Sequence, residues 1–411
     1  RRDTERTWIP EACGITMAGK PGPAEGAGPM DLETIALTAK PDNLDGEDFS
    51  NYFCAYGYLY NQKEMLEDPH RMESYYESII GNHRYFKDKV VLDVGTGSGV
   101  LAIWAAQAGA RKVYAVEATY MAAHATRLVK ANGLSDKVEV IQSAMEDVAL
   151  PEKVDVIVSE WMGYFLLRES MLDSVIIARD KWLKPDGAMF PSHANLYIAP
   201  SFDHTQDRRD GEFRTAIENW KHFQASTMAK YGVDFDTLTP AYGQECFQYF
   251  MQNALWVDAH PSQLVGQPVE LLSFDLLTLS LEELQKTKTG SATLTVTKIS
   301  EDQPQFNSLL SWFTTDFKGS PTAPLDTVVQ LTTAPTPDGA THWGQQEFHV
   351  VPALEARNGD VFSVEWEVRR QKENQRLLEV DFGLTRVSGA GEDATASEEP
   401  ISSRKLFFQV N

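Results

Sequence analysis

The chain has 411 residues, more than one hydrophobic core usually serves, so two domains are expected. A hydrophobic content of 42%, no stretch approaching the roughly 18 uninterrupted apolar residues of a spanning helix, and no charged-then-apolar leader exclude a membrane partner and predict a soluble, intracellular protein. The formal charge of −22 repels nucleic acid and attracts cations, so a basic peptide is an expected partner and nucleic acid is not, although an acidic surface also serves solubility alone.

Residues 1–47 are rich in Gly, Pro, Ala and acids without a sustained period, and read as a disordered tail. Met17 opens Met-Ala-Gly-Lys, so residues 1–16 read as an extension and stay outside the fold argument. Cys13, Cys54 and Cys246 are scattered, without Cys-x-x-Cys or His/Cys ligand spacing; free thiols are expected, with no disulfide framework and no metal.

Residues 48–190 carry a helical segment and then an alternating pattern. From Asp48 to about Lys87 the spacing is helical, with Phe53, Tyr56, Leu59 and Tyr60 on one stripe and Met72, Tyr75, Tyr76 and Ile79 on another. Strands are predicted at Val90–Val94, Lys112–Glu117, Lys137–Ile141 and Val154–Ser159, and helices at Leu101–Ala108, Tyr120–Ala131 and Ser170–Leu183. Such alternation predicts an α/β fold, a doubly wound, Rossmann-like parallel sheet covered on both faces.

Beyond Pro191 the character changes. Strand-like runs at Leu271–Leu279, Ala292–Ile299, Val328–Thr332, Phe348–Val351, Val361–Val368, Leu377–Phe382 and Leu406–Val410 predict an all-β sandwich or barrel over residues 191–411. After a strand at Asn195–Ile198, residues 203–256 show helical periodicity around Phe213, Ile217, Trp220 and Phe223, as an arm reaching a second subunit or as a helical cap on the barrel. Residues 389–400 read as a solvated loop.

The segment Val90-Val-Leu-Asp93-Val-Gly95-Thr-Gly97-Ser-Gly99 leaves the first strand and enters a helix. Glycines there let the chain turn tightly and let a ligand approach the backbone. The third glycine falls one residue early for Gly-x-Gly-x-x-Gly, which favours a nucleoside cofactor without a pyrophosphate. Glu117, ending the second strand, is placed to accept from ribose hydroxyls.

Glu160 and Glu169 follow the fourth strand, beside the first at the point where strand order reverses. Two carboxylates gathered there call for a cation between them, and a guanidinium matches carboxylates through its fork of donors. By themselves the two residues also read as a strand-end acid and a helix-start acid; their place beside the glycine loop favours the clamp.

At this point the chain resembles the type I protein arginine N-methyltransferases, and most closely their plant branch. The motifs are Tyr52-Phe53 with Tyr56, Asp68 with Arg71, Leu92–Gly99, Val116-Glu117, Met145-Glu146, Ser159–Met171 and Thr341-His342-Trp343. The resemblance implies an S-adenosyl-L-methionine-dependent methyltransferase domain, a β-barrel domain, and a homodimer closed by a helical dimerisation arm at about 203–256. It implies catalytic roles for Glu160, Glu169, His342 and Asp68. It assigns cofactor contacts to Gln62, Arg71, Asp93, Gly95, Gly97, Gly99, Glu117, Met145 and Glu146, and substrate contacts to Tyr52, Tyr56, Met65 and Trp343. Met65, where symmetric-forming relatives usually carry Phe, implies mono- and asymmetric dimethylarginine as products. Expected substrates are histone tails and Arg/Gly-rich proteins, and the expected location is cytoplasm and nucleus. Gln62 departs from a common His, and Arg168 from a common aromatic residue, which sets an extra cation beside the acidic pair.

Three other readings stand beside this one. An NAD-dependent dehydrogenase is opposed by the early third glycine, and a methyltransferase of nucleic acids or small molecules by the charge and the acid pair. A non-catalytic methyltransferase-fold scaffold is opposed by the presence of every motif acid.

Overall fold

In the computed structural model, which describes residues 52–302, 304–388 and 403–411, the alternation from Val90 onward forms a five-stranded parallel sheet. Its strands are β1 (Val90–Val94), β2 (Lys112–Glu117), β3 (Val138–Gln142), β4 (Val154–Val158) and β5 (Leu183–Phe190), in the order β3-β2-β1-β4-β5. The longer helices are α1 (Leu59–Leu66) and α2 (Pro69–Tyr76) before the sheet, and α3 (Val100–Gln107), α4 (Met121–Ala131) and α5 (Met171–Trp182) between its strands. Strands one to four and helices α3 to α5 start and stop within one residue of their expected places. Every residue of β1 is buried, as a central parallel strand covered on both faces requires.

The helical segment before the sheet is interrupted. Asp68 ends the first part and caps α2, accepting from the Arg71 N–H at 3.1 Å, with Pro69 at the first helical position. The predicted tail, Asp48–Asn51 and the loop at 389–400 lie outside the described residues.

Two long strands escaped the sequence reading, as did the short Leu255–Val257 at the end of the expected arm. In β5 the turn-like Pro185-Asp186-Gly187 hides a strand; it is tolerated because register with β4 jumps between Val154–Leu183 and Val156–Ala188, so these residues bulge out. The other is β10 (Gln305–Ser320), 16 residues long and buried on both faces. Its apolar run is broken by polar side chains that are buried with partners: Asn307 Nδ2 donates to the Asp203 carbonyl at 2.8 Å, Ser308 meets Ser201 at 2.8 Å, and Ser311 donates to the Tyr197 carbonyl at 2.7 Å.

That strand is the spine of the second half. It pairs with β6 (His193–Ser201), β11 (Ala323–Thr332) and β12 (Gln345–Glu355), while β7 (Leu255–Val257) and β8 (Val269–Asp275) flank them. A four-stranded sheet, β15-β14-β13-β9, faces them, built from β9 (Lys288–Thr295), β13 (Val361–Arg370), β14 (Leu378–Ser388) and β15 (Ser403–Val410). Bridges Gly266–Val296 and Asn253–Gln409 join the sheet edges, giving an antiparallel barrel. Two expected strands are corrected. The run Leu271–Leu279 stops at Asp275, whose side chain accepts from Leu277 N at 2.9 Å and turns the chain. The run Ala292–Ile299 is instead Lys288–Thr295, its Gly290 lying under the Trp366 ring.

Between β6 and β7 stand α6 (Gln206–Tyr231) and α7 (Thr239–Met251), a helical hairpin held by Trp220 stacked on Tyr242 at 4.2 Å. None of the described side chains of α6 is fully buried. At its root Asp203, Glu347 and His349 gather, all buried, the one such His/acid group with metal-ligand spacing among the described residues.

The two halves share a single core. Tyr75 meets Phe317 at 5.0 Å, Phe86 meets Phe190 at 5.0 Å, and Phe190 meets Phe317 at 6.2 Å, a seam joining α2, β5 and β10. Each fully buried aromatic contributes roughly 1.5–3 kcal/mol, so the barrel is anchored to the sheet rather than tethered to it. No described helix is long and apolar enough to cross a membrane, and Cys246 is a buried free thiol.

Candidate active site

The β1–α3 loop is built from glycines at Gly95, Gly97 and Gly99, with φ of +69°, +53° and +92°. A Cβ on Gly97 would stand 2.7 Å from Gln62 Oε1, so the side chain of Gln62 lies directly over the loop. Glu117 holds the loop from below: its Oε2 accepts from Gly97 N at 2.9 Å, and its Oε1 accepts from Thr119 N at 2.9 Å. Burial pushes Glu117 above the usual carboxylate range despite these donors. Asp93 sits deeper, where burial drives it up to about 7 against a 2.5 Å hydrogen bond from Thr96.

Glu160 follows β4 and Glu169 precedes α5, with a tight loop between. Gly163 is required there, since a Cβ would run into the Arg168 carbonyl. Phe165, Leu166, Glu169 and Ser170 take φ between +52° and +79° without being glycine. Each such residue costs on the order of 1–3 kcal/mol, so surrounding contacts hold this loop.

Each glutamate grips a guanidinium of the chain itself. Arg71 donates to Glu160 Oε2 through Nε at 3.1 Å and Nη2 at 2.9 Å. Arg168 Nη1 donates to Glu169 Oε1 at 3.0 Å while stacking 5.3 Å over the Tyr164 ring. The extra cation beside the pair is thus partnered with an acid. Tyr56 OH donates to Glu169 Oε2 at 2.7 Å. Burial raises the pKa of Glu169; the Tyr56 hydroxyl and Arg168 oppose the rise and Glu160 adds to it.

A cavity of about 460 Å³ runs from the glycine loop to this pair. Of the expected site residues its wall takes Tyr52, Tyr56, Gln62, Met65, Arg71, Gly95, Gly97, Glu117, Met145, Glu146, Glu160, Glu169, His342 and Trp343. Gly99, Asp93 and Asp68 stand behind it. Asp68 Oδ2 meets His342 Nδ1 at 2.7 Å, so the Asp–His pair forms across the interface between helix and barrel. Burial works against the Asp68 carboxylate, but hydrogen bonds from His342 and from the Arg71 backbone hold its pKa below the usual value. Trp343 is buried, donates to the Met162 carbonyl at 2.8 Å and packs on Phe313, so it is structural as well as cavity-lining.

Residues 193–387 match the family model for the arginine methyltransferase oligomerization subdomain, and residues 77–188 that for ribosomal protein L11 methyltransferase. Protein arginine N-methyltransferase PRMT10 of Oryza sativa subsp. japonica is 49% identical over 383 residues, covering 93% of this chain and 98% of the relative. The chain belongs to the protein arginine N-methyltransferase family. The crystal structure of Arabidopsis thaliana protein arginine methyltransferase 10 superposes with a TM-score of 0.83 at 44% identity, covering 88% of this chain and 100% of that one. The Trypanosoma brucei PRMT1 enzyme–prozyme heterotetramer with AdoHcy gives 0.69 at 32% identity, covering 87% and 100%.

This arginine methyltransferase chain brings further residues to the cavity that the sequence did not single out. Ser174 on α5 donates to Glu146 Oε1 at 2.6 Å. Asn374 and Arg376, in the β13–β14 turn, reach the wall from the barrel. Their turn reads in sequence as an ordinary solvated Asn-Gln-Arg, and only the closed barrel carries it to the sheet.

Proposed function

We propose that this chain is a type I enzyme, methylating arginine guanidino nitrogens in basic proteins such as histones and Arg/Gly-rich proteins to give mono- and asymmetric dimethylarginine. Family membership supplies the reaction class, protein arginine N-methylation with S-adenosyl-L-methionine as cofactor. The observation that carries the reading is the acid pair itself: Glu160 and Glu169 line one cavity with the glycine loop, and each already holds a guanidinium.

The residues suit that cofactor, since the glycines keep side chains out of the cavity and buried acid and cation flank it. Gln62, Arg71, Gly95, Gly97, Glu117, Met145 and Glu146 would hold it, and when bound it supplies the methyl group. Glu160 and Glu169 take a substrate guanidinium in exchange for Arg71 and Arg168, fixing its plane and localising its charge. Positioning and electrostatics of this kind supply most of a rate enhancement where no covalent chemistry is asked of the protein. The Tyr56 hydroxyl steadies Glu169. His342, oriented through Nδ1 by Asp68, accepts the proton released from the methylated nitrogen. Tyr52 and Trp343 wall the substrate end, and Met65 sets the room near the target nitrogen.

Homodimerisation through α6 and α7 belongs to the same reading. The match to the oligomerization subdomain supports it, as do Phe223, Tyr231, Phe247 and Tyr249, large apolar residues 42%, 66%, 43% and 65% exposed on that hairpin.

The test is methylarginine analysis after incubation with labelled cofactor and histones, Arg/Gly-rich peptides, their Arg→Lys versions, or RNA. Asymmetric dimethylarginine in the arginine-bearing proteins is expected. Symmetric product would overturn the type I assignment, and label in RNA alone would overturn the protein substrate.

A further inference from the structure

The hairpin turn between β13 and β14 docks on the backbone of the loop that carries Glu169. Glu169 N donates to the Arg376 carbonyl at 2.6 Å, Arg376 Nη1 donates back to the Glu169 carbonyl at 2.7 Å, and Ser170 Oγ donates to the Gln375 carbonyl at 2.8 Å. The two residues so held, Glu169 and Ser170, have φ of +79° and +57°, a left-handed conformation that side chains of this type do not adopt without outside support. The Arg376 guanidinium meanwhile lies 4.3 Å over the Tyr52 ring and 5.2 Å from that of Phe53. Tyr52 packs on Tyr56 at 5.0 Å, and Tyr56 returns to the Glu169 carboxylate at 2.7 Å. A circuit results: Glu169 backbone, Arg376, Tyr52, Tyr56, Glu169 side chain.

We propose that Arg376 is a positioning residue for methyl transfer, fixing the left-handed turn that aims Glu169 and ordering the Tyr52–Phe53 segment over the substrate end of the cavity. The assignment rests on the reading of Glu169 as part of the guanidinium clamp. Arginine suits both tasks because one planar group donates in its plane to a carbonyl while stacking by its face on a ring, which an ammonium does not do. Its charge also opposes the rise in the Glu169 pKa that burial causes. The barrel thereby supplies part of the geometry of a carboxylate borne by the other half of the molecule.

The experiment compares the full-length parent with Arg376→Ala and Arg376→Lys, following methyl transfer to an Arg/Gly-rich peptide against pH, cofactor affinity and Tm. In the alanine variant kcat is expected to fall about tenfold or more, the loss that a slight misplacement of a binding group produces. The acid limb of its rate profile moves to higher pH, since removing a cation lets the Glu169 pKa rise. Arg376→Lys keeps the charge and restores the limb, but not kcat. Cofactor affinity stays within about twofold in both, because neither change touches the glycine loop. An alanine variant with parental kcat and an unmoved acid limb overturns the proposal. So does a loss of Tm and cofactor affinity in both variants that accounts for the lost turnover. A parent without turnover would sink the clamp reading itself, and the proposal with it; with an active parent, a failure in the variants removes only the role of Arg376 and leaves the clamp standing.

Discussion

Arg71 holds Glu160 through two nitrogens on a single carboxylate oxygen, Nε at 3.1 Å and Nη2 at 2.9 Å, with the two side chains only 10% and 11% exposed. The same arginine donates to the Met65 carbonyl at 3.1 Å, and its own N–H is capped by Asp68 at 3.1 Å, so it ties α1, α2 and the end of β4 together. A cation so placed serves the fold and the site at once.

Removing it leaves a nearly buried carboxylate without its partner. Breaking such a pair costs about 3–5 kcal/mol in a closed core, and less beside a cavity that water enters. Arg71→Ala is therefore expected to lower unfolding free energy by about 1–3 kcal/mol. Glu160→Gln removes the charge that is left stranded, so the double variant should be more stable than the sum of singles by about 1 kcal/mol. Urea unfolding of the four proteins checks this; additivity within about 0.5 kcal/mol would mean that the pair is not coupled.

For activity the two glutamates, Glu160 and Glu169, give separate signatures. Glu160→Gln leaves the glycine loop and Glu117 untouched, so cofactor affinity is expected to stay near that of the parent. A neutral amide grips a guanidinium poorly, and turnover should fall by roughly 10²–10³-fold, the usual size for a lost electrostatic partner. Glu169 adds a pH signature. Its pKa is raised by burial, and the clamp needs the ionised form, so activity should decline toward acid from a pH above the ordinary glutamate range. Glu169→Gln should be slow and lack that limb. Calorimetric cofactor titration and rate profiles decide both; parental turnover in Glu160→Gln would remove that residue from the mechanism.

Four strands of the parallel sheet were legible because they are short, mainly apolar runs alternating with helical stretches. That Glu160 and Glu169 share a cavity with the glycine loop followed from strand order, which sets the ends of β1 and β4 side by side. What escaped was structure whose stabilising partners are remote in sequence. In β10, Asn307, Ser308 and Ser311 look like loop residues until β6 and the chain after it satisfy them. Arg376 stands 207 residues from the glutamate it holds, and no local pattern reports such a contact. The run Leu271–Leu279 failed for the opposite reason: an apolar stretch that a single aspartate turns at Asp275.

The glycine loop offers a narrower test. At Gly97 an added Cβ meets only the far end of a flexible side chain, Gln62 Oε1 at 2.7 Å, so crowding there is relieved by a rotamer change. The backbone is the harder constraint, because φ of +53° costs an L-residue about 1–2 kcal/mol. Gly97→Ala is expected to lose about that much stability and, with Gln62 displaced over the loop, to bind the cofactor about tenfold more weakly. Adding Gln62→Ala should recover part of the affinity and none of the stability. Unchanged affinity in Gly97→Ala would show that the cofactor does not approach this stretch of backbone.

At the root of the helical hairpin, His349 Nε2 lies 3.2 Å from Asp203 Oδ2 and 3.5 Å from Glu347 Oε2. Burial alone would lower the His349 pKa, but the two carboxylates outweigh it and raise it, with Arg209 opposing. Burial likewise works against the Asp203 carboxylate, and His349 together with Thr205 pulls its pKa below the usual value. The signs are opposite and fix a window. A raised histidine contributes stability that is complete below its unfolded pKa, about 6.5, and is lost as pH rises through the folded value. A depressed aspartate contributes stability that is complete above about 3.9 and is lost as pH falls through its folded value. Tm is therefore expected to be greatest at mildly acidic pH and to decline on the alkaline side, and His349→Gln should flatten that decline while lowering the maximum. Asp203 also turns the chain into α6 by accepting from Thr205 N at 2.7 Å, so Asp203→Asn should keep that turn in part and lose part of the alkaline slope, Glu347 remaining beside His349. Thermal unfolding from about pH 5 to 9 reads all three proteins. A His349→Gln protein with the parent's slope would place the titration elsewhere in the molecule.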